Sequence, residues 1–454
     1  MKYKHLVLTT CLFFSSNAHG ITLHQALTAA YNNSDQLKAA QETFKSNIEA
    51  MPQALAGFLP DVSASVGKND QKITSTSALN PTSPQRTETT QRNITMSQNL
   101  FNGGSNVAAV KAAQSSYRAS RAQLYNAEQK VLTDALAAYM DVYATQEKYN
   151  ISVTSLAFYQ KQKESVDEKM KVGEATLTDV AQANVGVASA EAGKAVAFAN
   201  LESAKALFIK TFGTEPVEIS LPDVPTGLPD TMDELIAKTE SANFTVQQAK
   251  HNAISTKAAA TSKKGGLLPK ANFQASLGNT YYGREVAPSF TSSGQTNSRT
   301  FSTGVSVTIP IFAEGGAQYS IIRQANNAAR GAAHQLADNL TTAKAQAIGS
   351  FAGYAASKSA AAFRDEAVSA NTLALEGVQH EYDVGSKTIL DVLNAQEALN
   401  QSQTQSIDSK VAYVTAAYAM KASIGEMTAV ALKLPVKYFN PGTELRKVKG
   451  IVWF

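Results

Sequence analysis

The chain has 454 residues, of which 44% are hydrophobic and 17% charged, with a formal net charge of +4. So small an excess of positive charge leaves no electrostatic footprint for nucleic acid, and a lone cysteine, Cys11, excludes a disulfide framework or a Cys-based metal site. No run of 18 or more apolar residues occurs, so any membrane crossing by this chain must use β-strands.

Leu6 to Phe14 form an apolar run preceded by Lys2 and Lys4 and followed by Ala18-His19-Gly20, which predicts a signal peptide over residues 1–20. The run is too short to span a bilayer. Thr9-Thr10 stand where an acylated cysteine needs small residues, which argues against a lipid on Cys11. Cleavage after Gly20 would leave a mature chain of net charge +2 with no thiol.

Beyond the signal the chain reads as two copies of one plan, because four landmarks recur in order. The segment opening at Leu23 aligns without gaps to that opening at Met232, and Gly57-Phe58-Leu59-Pro60 returns 209 residues later as Gly266-Leu267-Leu268-Pro269. Leu100-Phe101-Asn102-Gly103-Gly104 returns as Ile311-Phe312-Ala313-Glu314-Gly315-Gly316, with one insertion. Val172-Gly173 with Thr176 and Asp179-Val180 returns 212 residues later as Val384-Gly385 with Thr388 and Asp391-Val392. The copies are placed at 21–231 and 232–430, followed by a tail from 431 to 454.

Within each copy the expected order is a helix, a pair of strands and a helical hairpin. The strands are placed at about 61–101 and 270–311. Ala271, Phe273, Ala275 and Leu277, and again Phe301, Thr303, Val305, Val307 and Ile309, alternate with polar or small residues, the period of a strand with one oily and one wet face. Val62, Ala64, Val66, Ile94, Met96 and Leu100 occupy the same places in the first copy, with weaker alternation. Ser/Thr/Pro/Gly-rich stretches at about 75–90 and 283–298 read as connecting loops. A membrane barrel needs at least eight strands, so a chain with four must oligomerise.

The hairpins are placed at about 103–211 and 315–428. No proline occurs from 85 to 215 or from 311 to 434, and proline is rare inside long helices because it lacks an N–H. A continuous helix over Ser105–Met170 would be ~100 Å long, far beyond a globular core. Gly173 and Gly385 are the natural turns. The returning helices carry a seam of small residues, Val180, Ala183, Val187, Ala190 and Ala197 in one and Val392, Ala395, Leu399 and Ser402 in the other. Small seam residues favour close packing of many helices over a two-stranded coiled coil.

On the duplication, the Leu59-Pro60 and Leu268-Pro269 pairs and the run Tyr382-Asp-Val-Gly-Ser-Lys-Thr-Ile-Leu-Asp-Val-Leu-Asn394, the chain resembles the TolC-like outer-membrane factor family. The resemblance covers nearly the whole mature chain. It implies a mixed α and β fold whose protomer gives four membrane strands and two long helical hairpins, assembling into a trimeric 12-stranded β-barrel continuous with a periplasmic α-helical barrel and encircled by a mixed α/β belt. It further implies an exit duct in the outer membrane of a Gram-negative bacterium for tripartite drug efflux, type I protein secretion or both. The implied partners are a homotrimer, a periplasmic adaptor protein, an inner-membrane efflux pump or ABC exporter, and outer-membrane lipid.

The resemblance also implies a gate at the periplasmic tip. Carried over by motif, Tyr382 would hydrogen-bond Asp179 and Lys387 would link to Thr178. The family's type member has arginine where Lys387 stands, so this chain loses a rigid fork of donors. Asp391 would form one acidic ring at the pore aperture, while Asn394 occupies the place of a second. Charges facing one axis repel, raise their own pKa values and attract cations, so a neutral Asn394 implies weaker cation selectivity. Without the motif, Asp179 and Asp391 read as helix caps after a turn. Val172, Gly173, Val384 and Gly385 would be the adaptor contacts, and the plain reading of both glycines is a turn that needs φ > 0.

No enzyme is expected. The six histidines are scattered without metal spacing, and phosphate loop, dinucleotide fingerprint and nucleophile elbow are all lacking; no cofactor is implied. The alternative function is a barrel-anchored trimeric helical stalk with a structural or adhesive role, against which the repeated hairpin argues, since a stalk needs one helical pass per chain. The basic tail, with Lys437, Arg446, Lys447 and Lys449, reads as a solvated periplasmic segment.

Overall fold

Each copy begins with a short capped helix. Thr22 caps α1 (Leu23–Asn33) by accepting from the Gln25 amide, while the Gln25 side chain accepts from the Thr22 amide. Thr231 caps α6 (Met232–Ala242) at the matching place. These coordinates are a computed structural model that describes residues 20–77, 80–282 and 297–450. The expected signal peptide, apart from Gly20, and the expected second loop, apart from Asn297 and Ser298, lie outside the described residues.

In chain order α1 is followed by α2 (Asp35–Ile48), α3 (Ala50–Ala56), β1 (Asp61–Ser77), β2 (Asn80–Asn102), α4 (Ser105–Lys171) and α5 (Leu177–Phe212). After α6 come α7 (Phe244–Lys264), β3 (Lys270–Tyr282), β4 (Asn297–Thr308), α8 (Ala317–Asp383), α9 (Ile389–Ser423) and α10 (Pro441–Gly450). The chain divides into two units, one of residues 1–41, 124–246 and 340–439 and the other of 42–123, 247–339 and 440–454.

The second unit holds the sheet, antiparallel in the order β1-β2-β3-β4, so its central pair joins a strand from each copy. Register sorts the side chains cleanly. Rows such as Ala64–Ile94–Leu277–Phe301 lie on one face, whereas Ser63–Thr95–Ser276–Ser302 lie on the other. On the wet face Ser276 and Ser302 share a 2.6 Å hydrogen bond. On the oily face Val66, Phe301, Val305 and Val307 are each more than 60% exposed, so this protomer leaves that surface uncovered by its own atoms.

Two details differ from the sequence reading. The stretch near 75–90 is not a loop: β1 runs to Ser77 and β2 resumes at Asn80. Among the described residues β2 there pairs only with β1, its pairing to β3 beginning at Thr89. Pro81 and Pro84 therefore sit where, among the described residues, one edge of β2 has no neighbour, the position in which a missing N–H is tolerated. An irregularity between Asn99 and Phe101 also shifts the register by one, so that Phe101, not Leu100, stands opposite Ala271 on the oily face.

Beneath the sheet, the helix ends are locked to their neighbours by reciprocal bonds. Ser105 Oγ donates to the Ser262 carbonyl at 2.7 Å and Ser262 Oγ to the Ser105 carbonyl at 3.0 Å. The Gly-x-Leu-Pro landmarks serve the same end. Asn106 donates to the Gly57 carbonyl at 2.5 Å, and its repeat counterpart Gln318 donates to the Lys263 carbonyl at 2.7 Å. A Cβ on Gly57 would crowd the Asn106 amide, and one on Gly266 would collide with that of Gln318.

The first unit is helical. Asn33 Nδ2 donates to the Phe212 carbonyl at 2.7 Å and, one copy on, Asn243 Nδ2 to the Ser423 carbonyl at 3.0 Å, tying each short helix to the end of its own returning helix. Tyr139, fully buried, places its hydroxyl 3.0 Å from the carbonyls of both Ile21 and Ser220. The tail is not solvated along its length: Leu434 is buried, and the Phe439 amide donates to the Tyr31 hydroxyl.

Glu128 on α4 accepts from the Ala429 amide at 2.7 Å and is only 7% exposed. Burial raises its pKa, against which the Ala429 bond works. Because the folded value lies above the ordinary one, the native state holds extra protons in the window between them. Stability is then greatest below the ordinary pKa and falls as pH rises through the window. In detergent melts, Glu128→Gln is expected to remove this pH dependence and to melt no lower than wild type at neutral pH. Glu128→Ala leaves the Ala429 amide unpaired and should cost about 1–3 kcal/mol.

Candidate functional site: the hairpin tip

Both hairpin turns are built alike. The Gly173 amide donates to the Met170 carbonyl and that of Glu174 to Lys169, while Gly385 donates to Tyr382 and Ser386 to Glu381, with bonds of 2.8–3.1 Å. Gly173 and Gly385 have φ of +81° and +80°, which a Cβ makes costly. Beside them Val172 and Val384 stand 71% and 80% exposed.

Each returning helix then starts on a capping box. Thr176 Oγ1 accepts from the Asp179 amide at 3.2 Å, and Asp179 accepts from the Thr176 amide and hydroxyl at 2.8 Å. Thr388 and Asp391 repeat the arrangement at 2.8–3.4 Å. The backbone and hydroxyl of Thr388 hold the Asp391 carboxyl below the usual carboxylate range. Within one chain, then, both aspartates act as helix caps.

Behind the turns the four long helices share one apolar cluster. Tyr159 and Val166 of α4, Ala183 of α5, Leu375 of α8, and Ile389, Val392, Leu393 and Leu399 of α9 are its buried members. The small-residue seam lies here: Val180, Val187, Ala190 and Ala395 pack against the cluster, and Ser402 is itself buried. Burial raises the Tyr159 pKa to about 12, and its hydroxyl donates to the Leu393 carbonyl at 3.4 Å. A polar chain runs through the same layer, with Gln396 donating to Asn400 at 2.8 Å and Asn400 to Ser155 at 2.7 Å. Between α4, α5 and α9 a groove of about 780 Å³ opens, lined by Tyr159, Thr178, Gly186, Leu390, Asn394 and Glu397 among others.

Of the gate residues, the tip brings Tyr382 close enough to Asp179 for that charge to raise the phenol pKa, after the larger effect of burial. No hydrogen bond joins them among the described residues, since Asp179 spends its carboxylate on Thr176. Lys387 is exposed and makes no bond to Thr178 among the described residues; its charge acts on Asp391. Sequence reasoning missed Lys169, whose ammonium lies 3.9 Å from the centre of the Tyr382 ring and 3.9 Å from Asp383. A lysine one turn before the Val-Gly turn was the only signal, and the matching position in the second copy is Glu381.

Comparison with known proteins decides the family. The outer membrane efflux protein family matches residues 26–210 and 235–426. The chain belongs to the outer membrane efflux protein family. It is 30% identical over 436 residues to the outer membrane efflux protein BepC of Brucella suis, covering 95% of this chain and 91% of BepC. It is 21% identical to the outer membrane protein TolC of Vibrio cholerae, covering 91% and 93% of the two chains. The Campylobacter jejuni CmeC outer membrane channel has the same fold, with a TM-score of 0.77 over 99% of this chain and 97% of that one at 15% identity. The duplicated protomer, with its four-stranded sheet and two long hairpins, is thus the fold of a TolC-like outer-membrane efflux channel, and the anchored stalk is set aside. Among the described residues, no helix is long and apolar enough to span a membrane.

The caps carry a direct test. Thr388→Ala and Thr176→Ala are each expected to cost about 1 kcal/mol and to speed amide hydrogen exchange in the first turn of α9 and α5 respectively. Unchanged exchange there would show that the turns are held by other contacts. The Thr388 effect should be full above the ordinary carboxylate pKa of about 3.9 and fade as pH falls through the lower folded value of Asp391.

Proposed function

We propose that three copies of this chain close one 12-stranded barrel in the outer membrane, and that the helical hairpins wall a periplasmic duct shut at its tip until partners open it. The observation that carries this reading is a sheet with two open edges and one exposed oily face, in the same protomer as two hairpins that end on exposed valines. Open strand edges cannot remain unpaired in lipid, and four strands are too few to close.

In this reading Tyr382, Asp179, Lys387 and Thr178 supply the links that hold the tip closed. The reach of the Asp179 charge to Tyr382 supports it. Lys169 joins them as a clamp on Tyr382. Asp391 lines the aperture, its carboxyl kept ionised by Thr388, and the exposed Asn394 widens the uncharged stretch above it. Val172, Gly173, Val384 and Gly385 form the seat of a periplasmic adaptor, since exposed apolar side chains at a loop tip favour a protein contact. The adaptor would couple the duct to an inner-membrane efflux pump or ABC exporter, with drugs, secreted proteins or both as cargo.

Single-channel conductance in planar bilayers tests the gate. Wild type should conduct weakly and the Tyr382→Phe, Lys387→Ala double variant strongly. A channel equally wide in both would remove these residues from the gate, and no channel in either would remove the duct. Asn394→Asp should strengthen block by a trivalent cation severalfold or more, because a second carboxylate ring adds charge at short range; unchanged block would take Asn394 out of the aperture.

A further inference from the structure

The oily face of the sheet turns polar toward the Ser77 end of β1 and the Tyr282 end of β3. Its last apolar row is Ala64–Ile94–Leu277–Phe301, and the next row on the same face is Val66–Arg92–Asn279–Arg299. Two arginines thus stand in one register row, on strands two apart, about 10 Å at the usual strand spacing. That is a gap two arginine side chains can bridge onto one anion.

A cavity of about 230 Å³ lies there, lined by Val66, Arg92, Ile94, Leu277, Asn279 and Arg299 among others. The Arg92 guanidinium sits 5.5 Å from the centre of the Tyr281 ring, one row further out, and the Asn279 amide donates to the Tyr281 hydroxyl at 3.0 Å. Neither arginine pairs with a carboxylate among the described residues. The nearest acids on this face, Glu88 and Asp70, are two rows away, and Glu88 is paired with Lys68.

Arginines on a lipid face cost about 2–4 kcal/mol at the bilayer midplane and little at the interface, so this row belongs at a headgroup level. We propose that Arg92 and Arg299, positioned by Tyr281 and Asn279, bind a phosphate of an outer-leaflet glycolipid. The site carries two forks suited to phosphate oxygens, next to an apolar wall of Val66, Ile94 and Leu277 suited to an acyl chain. That wall favours a lipid over free phosphate. The assignment to the outer leaflet rests on the proposed duct: the helices that adjoin strands, α3, α4, α7 and α8, all do so at the opposite end of the sheet, the end that reading turns to the periplasm.

The test is a binding titration of the purified full-length channel in detergent with bisphosphorylated lipid A, dephosphorylated lipid A and inorganic phosphate, read by native mass spectrometry and tryptophan-free thermal shift. Wild type should take up the bisphosphorylated lipid and bind the dephosphorylated form at least about tenfold more weakly, the loss expected for charge-assisted bonds. Arg92→Gln with Arg299→Gln should lose at least as much. Equal binding of the two lipids, equal binding by the variant, or protection by inorganic phosphate as strong as by lipid would each overturn the site. If the glutamine pair fails to assemble, Arg92→Lys with Arg299→Lys carries the comparison, with weaker binding expected because an ammonium cannot fork, and unchanged binding overturning it. Lipid uptake needs no open pore, so a protein that binds the lipid yet never conducts would sink the duct and keep this site.

Discussion

A strand edge in lipid has no water to satisfy its amide and carbonyl groups, and this constraint governs most of what the chain can do. Among the described residues, β1 and β4 each have one neighbour in the protomer. Their outer edges need strands from another chain, and the oily face of the same sheet needs lipid. The sheet therefore makes sense only in an assembly at a membrane. Its central β2–β3 pairing also explains why the two copies remain fused, since each supplies one side of that seam.

Duplication repeats contacts wherever the two copies face the same task. The Asn33 and Asn243 ties, the Thr176 and Thr388 caps and the glycine turns recur at matching positions with nearly the same geometry. Divergence marks where the tasks differ. Ile389 is buried in the tip cluster, whereas its counterpart Leu177 is 76% exposed. Glu128, which holds the Ala429 amide, has Leu340 as its counterpart, a side chain with no carboxylate to offer a backbone amide.

The tip combines an apolar layer with a polar one. Small residues on α5 and α9 let the helices approach closely, and Ser155, Gln396 and Asn400 pair within that layer instead of facing water. A fully apolar seam would be harder to part once formed. A seam with satisfied polar links and a capped helix start can come apart at the links while each helix stays intact, which is what the gate proposed for this tip requires.

The duplication, the proline-free helices, the glycine turns and the alternating strands were legible in the sequence because each follows from local backbone chemistry or from a period of two or seven. The capping role of Asp179 and Asp391 was legible for the same reason, being a contact three residues long. What the local pattern could not carry were facts set by partners far along the chain: the strand through Pro81 and Pro84, which pairs there with β1; the shift that brings Phe101 opposite Ala271; and the ordering of the tail by Tyr31. Lys169 over Tyr382, and Arg92 in one row with Arg299, belong to the same class. Residues some 200 positions apart become neighbours only when register and helix packing are set, and those depend on summed contacts across the fold, not on any stretch of sequence.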